Sequence, residues 1–309
     1  MASGNDLPTN DLLTRVLNRD ERALARAISL LESSRGEGQA LLRAARPQAG
    51  RARLIGITGA PGSGKSTLTD KLIGVARAAG ERVAVLAVDP TSPFSGGAIL
   101  GDRIRMLRWH QDRAVFIRSM ATRGHLGGLA ASTLQAATLL DASGFDTIFI
   151  ETVGVGQSEV EIAAVADTTV VVLTPGQGDG VQAFKAGIME VADIFALNKY
   201  DQPGGPKLQR EVQAALELAP AAGWLPPLVP TVATDGTGIA ELAAHIAEHR
   251  AYLAQSGLGQ RRLSRARLEL ATLLTATLRQ RLMARDDTWL EAAWLSELTP
   301  EALIAKLLD

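Results

Sequence analysis

One glycine-rich segment, GAPGSGKST at residues 59–67, has the residue types and spacing of a phosphate-binding loop. It matches the pattern G-x-x-x-x-G-K-[ST] and lies between an apolar run, RLIGIT, and a helical pattern. Glycines there let backbone N–H groups turn towards phosphate oxygens, and the N-terminus of the next helix adds positive potential. Lys65 would reach the β- and γ-phosphates of a nucleoside triphosphate, and the Ser66 hydroxyl suits Mg²⁺, which prefers oxygen ligands. The predicted phosphate-binding residues are Gly59, Ala60, Pro61, Gly62, Ser63, Gly64, Lys65, Ser66 and Thr67.

A second motif, Asn198-Lys199-Tyr200-Asp201, ends a later apolar run and indicates which base is bound. The Asp201 carboxylate can accept hydrogen bonds from the N1–H and 2-amino groups of guanine. Adenine has no such donor pair and would leave that carboxylate unpaired. Asn198 can bond the base edge and brace the loop, while the Lys199 stem packs along the ring. A second base-side loop is predicted after the next strand, at Thr231, Val232 and Ala233.

Acidic residues at the ends of two predicted strands are candidates for catalysis or metal binding. Asp89 closes RVAVLAVDP and Glu151 closes DTIFIE. The carboxyl ends of neighbouring strands face the ligand in open α/β sheets, so these carboxylates can hold Mg²⁺ directly or through water. Asp102, in GGAILGDRIRM, is a third candidate, although Asp before a helix is commonly an N-cap. Gln157, in TVGVGQSEVE, could respond to the γ-phosphate.

The elements that must position these residues alternate between short β-branched runs and longer helical patterns. Such alternation predicts an α/β fold, with a mostly parallel sheet that is covered by helices on both faces. The runs are continuously apolar rather than alternating, as buried parallel strands are. The predicted strands are RLIGIT, RVAVLAV, RAVFIRS, DTIFIE, TTVVVLT, DIFALN and LVPTVA.

Helical segments flank this α/β region, and we expect three parts: 1–50, helical; 51–254, the nucleotide domain; 255–309, helical. Residues 11–32 have apolar side chains at helical spacing, and QALLRAAR forms a second short helix before Pro47. In the last part, leucines four residues apart form one apolar stripe, which suits either a partner chain or an intramolecular core. They are Leu270, Leu274, Leu278 and Leu282.

The composition excludes several classes of function. The 32 basic and 33 acidic side chains give a net charge of −1, so neither a nucleic-acid nor a membrane-surface partner is expected. The chain has no cysteine, which excludes disulfides and thiolate chemistry. The N-terminal segment has no signal-peptide pattern, and no apolar run approaches the ~20 residues of a membrane helix. We therefore expect a cytoplasmic protein.

Taken together, these motifs resemble those of the methylmalonyl-CoA mutase-associated GTPases (the MeaB/ArgK type). The resemblance runs from about residue 12 to 285 and rests on GITGAPGSGKST, AVDPTSPFSGGAILGDRIRM, RGHLGGLA, ETVGVGQSE and GQGDGVQAFKAGIMEVADIFALNK, in that order. It implies a P-loop NTPase fold of the branch that includes signal-recognition-particle and nickel-insertion GTPases. It also implies GTP and GDP binding with Mg²⁺, a homodimer formed through the C-terminal helices, and no tightly bound cobalamin on this chain. The implied role is a chaperone that gates adenosylcobalamin delivery to an acyl-CoA mutase and protects that enzyme.

The same resemblance implies roles for individual residues. TVGVGQ would be the second switch, and QGDGVQAFK would be a third that touches the partner enzyme. The implied metal ligands around the γ-phosphate are Ser66, Asp89, Asp102 and Glu151. The implied catalytic residues are Lys65, Asp102, Glu151 and Gln157, and those coupling to the partner are Gln177, Asp179 and Lys185.

Two other functions compete with this role. An ATP-dependent kinase linked to amino-acid transport is disfavoured because adenine cannot satisfy Asp201. A GTPase metallochaperone would want a tract rich in His or Cys, whereas this chain has four scattered histidines. His245 and His249 lie four apart on a predicted helix and could share a metal, but a solvated helix face is the favoured interpretation.

Overall fold

The computed structural model describes residues 7–33, 36–89, 106–121, 131–152, 158–176, 188–218, 223–295 and 299–308. The strands are β1 (Arg53–Thr58), β2 (Val83–Asp89), β3 (Val115–Ala121), β4 (Thr147–Thr152), β5 (Thr168–Leu173), β6 (Ile194–Asn198) and β7 (Leu228–Thr231). The helices are α1 (Leu7–Leu17), α2 (Glu21–Glu32), α3 (Gly36–Ala45), α4 (Lys65–Ala78), α5 (Ala131–Ala142), α6 (Ser158–Val165), α7 (Ile188–Val191), α8 (Gly205–Leu218), α9 (Ile239–Ser256), α10 (Leu258–Met283), α11 (Asp287–Trp294) and α12 (Pro300–Leu308).

The seven strands form one parallel sheet in the order β3-β2-β4-β1-β5-β6-β7. The predicted parallel α/β fold is confirmed, and each predicted strand corresponds to one observed strand. The chain builds the sheet first on one side of β1 and then on the other, so its direction of growth reverses there. Ligands of open α/β sheets bind at such a reversal, outside the carboxyl ends of the strands.

The strands are continuously apolar because helices cover both faces of the sheet. All six residues of β4 are buried. On one face, Leu68 and Leu72 of α4 and Leu242 and Ile246 of α9 join the core with the strand side chains. On the other face, α6 approaches β1 so closely that a Cβ added to Gly56 would lie 2.6 Å from Ile162 Cγ1.

The N-terminal helices pack against the outer part of the sheet. Arg118 of β3 forms an ion pair with Glu32 of α2, with Nη2 and Oε2 2.6 Å apart. Gln39 of α3 donates a hydrogen bond of 3.1 Å to Gln135 of α5. These contacts attach α2 and α3 to β3 and α5 of the α/β fold.

The single helical pattern predicted over residues 11–32 is wrong, because the structure contains two helices there. Arg19 has φ of 70°, which no helix tolerates in its interior. Asp20 then caps α2 by accepting a hydrogen bond of 2.9 Å from the Ala23 N–H. An Asp side chain at this position competes with the helical backbone and starts a new helix.

The chain divides into two compact units, residues 1–262 and 263–309. The first contains the sheet together with α1–α3. The second contains most of α10 and all of α11 and α12. Within the described residues, no helix is long and apolar enough to cross a membrane.

Candidate nucleotide-binding site

The glycine-rich loop connects the carboxyl end of β1 to the first residue of α4, at the reversal point of the sheet. Gly59, Gly62 and Gly64 have φ of 138°, 75° and 94°, a region that favours glycine. The space is equally restrictive. A Cβ on Gly59 would lie 2.2 Å from the Val172 carbonyl oxygen, and one on Gly64 would lie 2.3 Å from Asn198 Nδ2. The loop thus requires glycine for both its backbone conformation and its close packing.

Lys65 is folded back over this loop. Its Nζ donates to the carbonyl oxygens of Gly59 at 2.7 Å and Ala60 at 3.0 Å, and the residue is only 6% exposed. These contacts hold the ammonium group beside the backbone amides of the loop. That position suits neutralisation of phosphate oxygens at the N-terminus of α4.

Two side chains whose oxygens could bind a metal, those of Ser66 and Glu151, meet beside the loop. Ser66 Oγ, in the first turn of α4, donates a hydrogen bond of 2.5 Å to Glu151 Oε1 near the end of β4. Both residues are 5% exposed. One hydroxyl and one carboxylate, with room left to phosphate and water, are the oxygen ligands that Mg²⁺ prefers, so the donor set fits this ion.

Other predicted metal and catalytic residues are described only in part or not at all. Ala87 and Val88 of β2 pair with Glu151 and Thr152 of β4, so the backbone of Asp89 ends its strand beside theirs. The remaining predictions in switch and partner-coupling segments lie outside the described residues: Asp102, Gln157, Gln177, Asp179 and Lys185.

Asn198 joins the phosphate loop to the predicted base-side loop. Its Nδ2 donates to the Ser63 carbonyl oxygen at 2.8 Å. Its Oδ1 accepts from the Ala233 N–H at 3.0 Å and from Thr231 Oγ1 at 3.3 Å. The side chain is buried, so both ends of its amide serve as a brace. A contact of Asn198 with the base itself stays a prediction.

The next residues of the motif take different positions. Lys199 adopts φ of 54°, and its Nζ donates to the Gly62 carbonyl oxygen at 2.9 Å. Asp201 is exposed, while Val232 is half-buried and pairs with Thr237 in an isolated bridge. Asn198 and Lys199 thus tie the phosphate loop from one side, and the Asp201 carboxylate stays accessible to a base.

Two contributions to the site carried little sequence signal. Thr152 Oγ1 donates to Thr58 Oγ1 at 3.0 Å, which links the carboxyl ends of β4 and β1. In the turn after Ala233, the Thr237 N–H bonds Asp235 and holds the pKa of that carboxyl below its usual range. The sequence signals for these two contacts were weak. They were a threonine at the end of an apolar run and an Asp two residues before a Thr.

The favoured interpretation of His245 and His249 as a solvated face is wrong for His249. This side chain is fully buried, with Nδ1 2.9 Å from Thr168 Oγ1, and its ring lies 4.8 Å from that of Trp224. His245 instead contacts Glu248, at 2.7 Å. The two rings therefore have separate partners and do not form one metal site.

A parallel sheet with a G-x-x-x-x-G-K-S loop at its reversal point, and an N-K-x-D motif at the end of β6, defines a P-loop GTPase. The family described as methylmalonyl Co-A mutase-associated GTPase MeaB matches residues 24–287. The chain belongs to this family, as its motifs predicted.

Individual relatives agree with this assignment. A Pyrococcus horikoshii protein that carries a GTPase name is 49% identical, over 90% of this chain and 89% of its own. GTPase ArgK of Escherichia coli is 38% identical, over 79% of this chain and 76% of its own. A crystal structure of a LAO/AO transport system kinase matches 99% of this chain and 98% of its own, with a TM-score of 0.69 and 26% identity. The protein is thus a GTP hydrolase of the MeaB family.

Proposed function

We propose that this GTPase is a chaperone for an adenosylcobalamin-dependent acyl-CoA mutase, timing cofactor delivery and protecting the enzyme. The observation that carries the proposal is the match to a mutase-associated family over residues 24–287. The client is methylmalonyl-CoA mutase or a close relative. Cobalamin passes to the client and is not held tightly on this chain.

The residues of the glycine-rich loop bind the nucleotide in this proposal. Backbone N–H groups of residues 59–67 surround the phosphates, and Lys65 neutralises charge that develops on them during hydrolysis. Ser66 and Glu151 hold Mg²⁺, with Asp89 and Asp102 completing the surroundings. When bound, Mg²⁺ adds electrostatic stabilisation of the phosphate oxygens. Gln157 follows Glu151 closely in sequence and is the candidate for orienting the attacking water.

Guanine is selected by the carboxylate of Asp201. The exposed position of this side chain leaves its oxygens available for the N1–H and 2-amino donors of the base. The brace made by Asn198 supports this choice, because it holds the base-side loop at Ala233 against the phosphate loop at Ser63. Both ends of the nucleotide are then bound by segments that share one buried side chain.

The contact between Ser66 and Glu151 connects the nucleotide to the second switch. The Ser66 hydroxyl donates to the Glu151 carboxylate at 2.5 Å. If Ser66 and Glu151 are the ligands of Mg²⁺, both groups would exchange this contact for the metal when Mg²⁺ and GTP bind. Because Glu151 directly precedes TVGVGQ, that exchange acts at the start of the switch segment, and hydrolysis reverses it. The third segment, with Gln177, Asp179 and Lys185, carries the signal to the mutase.

A homodimer through the C-terminal helices is part of the proposal. In the unit of residues 263–309, Leu270 and Leu274 of α10 are 61% and 59% exposed, and Leu282 is 40% exposed. Leucines at this spacing form a continuous apolar stripe, and a second copy of the same helix would cover it. Light scattering should report a dimer that Leu274→Glu separates and that Gln280→Glu, an exposed change on the same helix, leaves intact. A monomeric wild-type protein would rule out the dimer.

The decisive experiment measures phosphate release from GTP and from ATP, with the purified protein alone and with candidate mutases. We expect slow GTP turnover that one mutase accelerates, and no turnover of ATP. The candidates are methylmalonyl-, isobutyryl-, ethylmalonyl- and hydroxyisobutyryl-CoA mutases. Lys65→Ala should abolish turnover, whereas Lys207→Ala, at a side chain 74% exposed, should not.

The outcomes separate the proposal from its rivals. GTP turnover that is indifferent to every mutase would retain the GTPase and refute the chaperone role. Turnover of ATP instead would favour the kinase function that the name of the LAO/AO transport system kinase carries. It would also refute the role given to Asp201.

A further inference from the structure

A cleft lies at the amino ends of β1 and β4, whereas the phosphate loop lies at the carboxyl end of β1. It has a volume of about 640 Å³ and is lined where β1 and β4 begin, by the linker before β1, the α5–β4 connection and one side chain of α9. The phosphate loop follows the last residue of β1, whereas Arg53, its first residue, lines this cleft. A six-residue strand separates its two ends by roughly 17–20 Å, so the cleft is distinct from the nucleotide site.

Charge in this cleft is concentrated in arginine. Four guanidinium groups line it, from Arg19, Arg51, Arg53 and Arg250, together with three carboxylates. We propose that this cleft binds a small anion that carries phosphate groups, as a site additional to the one for GTP.

The three carboxylates each accept a hydrogen bond from another residue of the protein; they belong to Glu81, Asp141 and Asp146. Asp141 accepts from the backbone N–H groups of Gly50, Arg51 and Ala52 at 2.6, 3.0 and 2.9 Å. Its charge is thus used to fix the linker that leads into β1, and the residue is only 8% exposed. Such a backbone nest around a carboxylate is a stable local structure.

The other two carboxylates have fewer contacts, and Asp146 is exposed. Glu81 forms an ion pair with Arg53 and accepts a hydrogen bond of 2.7 Å from Thr147 Oγ1. Asp146 accepts from the Arg82 N–H at 2.8 Å. Only one of the four arginines, Arg53, is therefore neutralised by a carboxylate of the cleft.

The other three arginines form no ion pair with a described residue. In the described part of the chain, no carboxylate lies within 4.0 Å of the side-chain nitrogens of Arg19, Arg51 or Arg250. Arg19 Nε donates to the Ser143 carbonyl oxygen at 3.2 Å, and Arg250 Nη2 donates to that of Arg51 at 3.3 Å. Carbonyl oxygens orient these groups but do not neutralise them, and the nearest opposing charges on Arg250, those of Asp167 and Glu81, act without an ion-pair contact.

Like charges also crowd one another here. Burial and the charge of nearby Arg53 lower the pKa of the Arg250 guanidinium, and they outweigh the opposing effect of Asp167 and Glu81. Arg262, which donates to the Gly50 carbonyl oxygen at 2.7 Å, adds to this repulsion. An anion in the cleft would relieve it, and relief of repulsion between fixed charges favours binding.

Phosphate is the anion that this donor set suits. The guanidinium fork matches two oxygens of a phosphate at once, and arginine remains charged when it is partly buried. The cleft volume falls within the roughly 300–1,000 Å³ of small-molecule sites. A phosphate-bearing small molecule therefore fits better than a single simple ion.

Calorimetric titration of the full chain with pyrophosphate tests the proposal. A non-hydrolysable GTP analogue with Mg²⁺ keeps the first site filled, and the same titration without protein is subtracted because pyrophosphate and citrate both chelate Mg²⁺. We expect saturable binding at one site per chain, weakening as salt is added. Citrate, an anion of similar charge without phosphate, should bind at least about tenfold more weakly.

Two substitutions locate the binding. Arg51→Gln and Arg250→Gln should each weaken pyrophosphate binding about tenfold or more, because each removes a charge-assisted contact. Arg43→Gln, at an exposed arginine of α3 outside the cleft, should leave binding unchanged. Because Arg51 is exposed and Arg250 is partly buried, the Arg51 variant remains informative if Arg250→Gln fails to fold.

The proposal is overturned if the wild-type protein shows no saturable binding, or if Arg51→Gln binds as the wild type does. Equal affinity for citrate would overturn the assignment to phosphate. GTP hydrolysis by Arg51→Gln should be unchanged without pyrophosphate, since this side chain lies away from the phosphate loop.

Discussion

Replacing Asn198 tests whether one buried amide holds the two nucleotide-binding loops together. Asn198→Ala removes the donor to the Ser63 carbonyl oxygen and the acceptor for the Ala233 N–H, at 2.8 and 3.0 Å. Asn198 is 2% exposed, so the lost hydrogen bonds lie in the protein interior. An unsatisfied buried polar group costs about 1–3 kcal/mol, and two such groups give a loss of about 2–6 kcal/mol in the free energy of unfolding.

Two other variants separate the contacts of Asn198. Asn198→Asp keeps the acceptor for Ala233 but places a carboxylate oxygen against the Ser63 carbonyl, so it breaks only the arm towards the phosphate loop. Thr231→Val removes only the longest contact, of 3.3 Å, and should cost less than about 1 kcal/mol. Gln213→Ala, at an exposed amide on α8, is the control and should stay within about 0.5 kcal/mol.

Urea unfolding of the nucleotide-free variants, followed by circular dichroism, measures the stability, and titration with a fluorescent GDP analogue measures binding. We expect Asn198→Asp to weaken nucleotide binding because the phosphate loop loses its brace. The reasoning would be refuted if Asn198→Ala unfolded within 1 kcal/mol of the wild type. It would be refuted equally if Thr231→Val were as destabilising as Asn198→Ala.

Three further predictions concern the same fold. Gly64→Ala should weaken GDP binding at least about tenfold in that titration, because φ of 94° and the Asn198 side chain leave no place for a Cβ; unchanged affinity would contradict this. Burial lowers the pKa of His249 from 6.5 although Asp193 opposes the shift, since Arg261 already engages Asp193. The unfolded chain then binds the proton more readily than the folded protein does. The free energy of unfolding, measured by urea unfolding at several pH values, should therefore fall as the pH drops below about 6.5. His249→Gln should reduce this dependence on pH. Asp141→Asn should cost about 1.5–3 kcal/mol in the same melts by disturbing three backbone hydrogen bonds, and a stable variant would contradict the nest.

The features that could be predicted from sequence are those encoded by neighbouring residues. The phosphate loop depends on glycines and a lysine within 59–67, and the strands depend on short apolar runs, so local patterns sufficed. The N-K-x-D motif indicated where the end of β6 would lie. Its location beside the phosphate loop then followed from the general rule for parallel sheets.

Contacts between distant residues could not be predicted in the same way. The bonds of Asn198 to Ser63 and Ala233 span 135 and 35 residues, and those of Asp141 span about 90. Their formation depends on strand order, which apolar runs do not specify. The burial of His249 was missed because a polar residue on α9 resembles a surface position unless the Trp224 ring above it is known.

The two outer strands of the sheet differ in how they discourage unwanted strand pairing. β7 is only four residues long and contains Pro230, which has no N–H to offer an incoming chain. β3 is longer, but Arg118 within it is engaged by Glu32 of a covering helix. Short edges, prolines and charges are the devices by which soluble sheets resist aggregation. Newly made or concentrated protein should therefore resist aggregation by strand addition at its sheet edges.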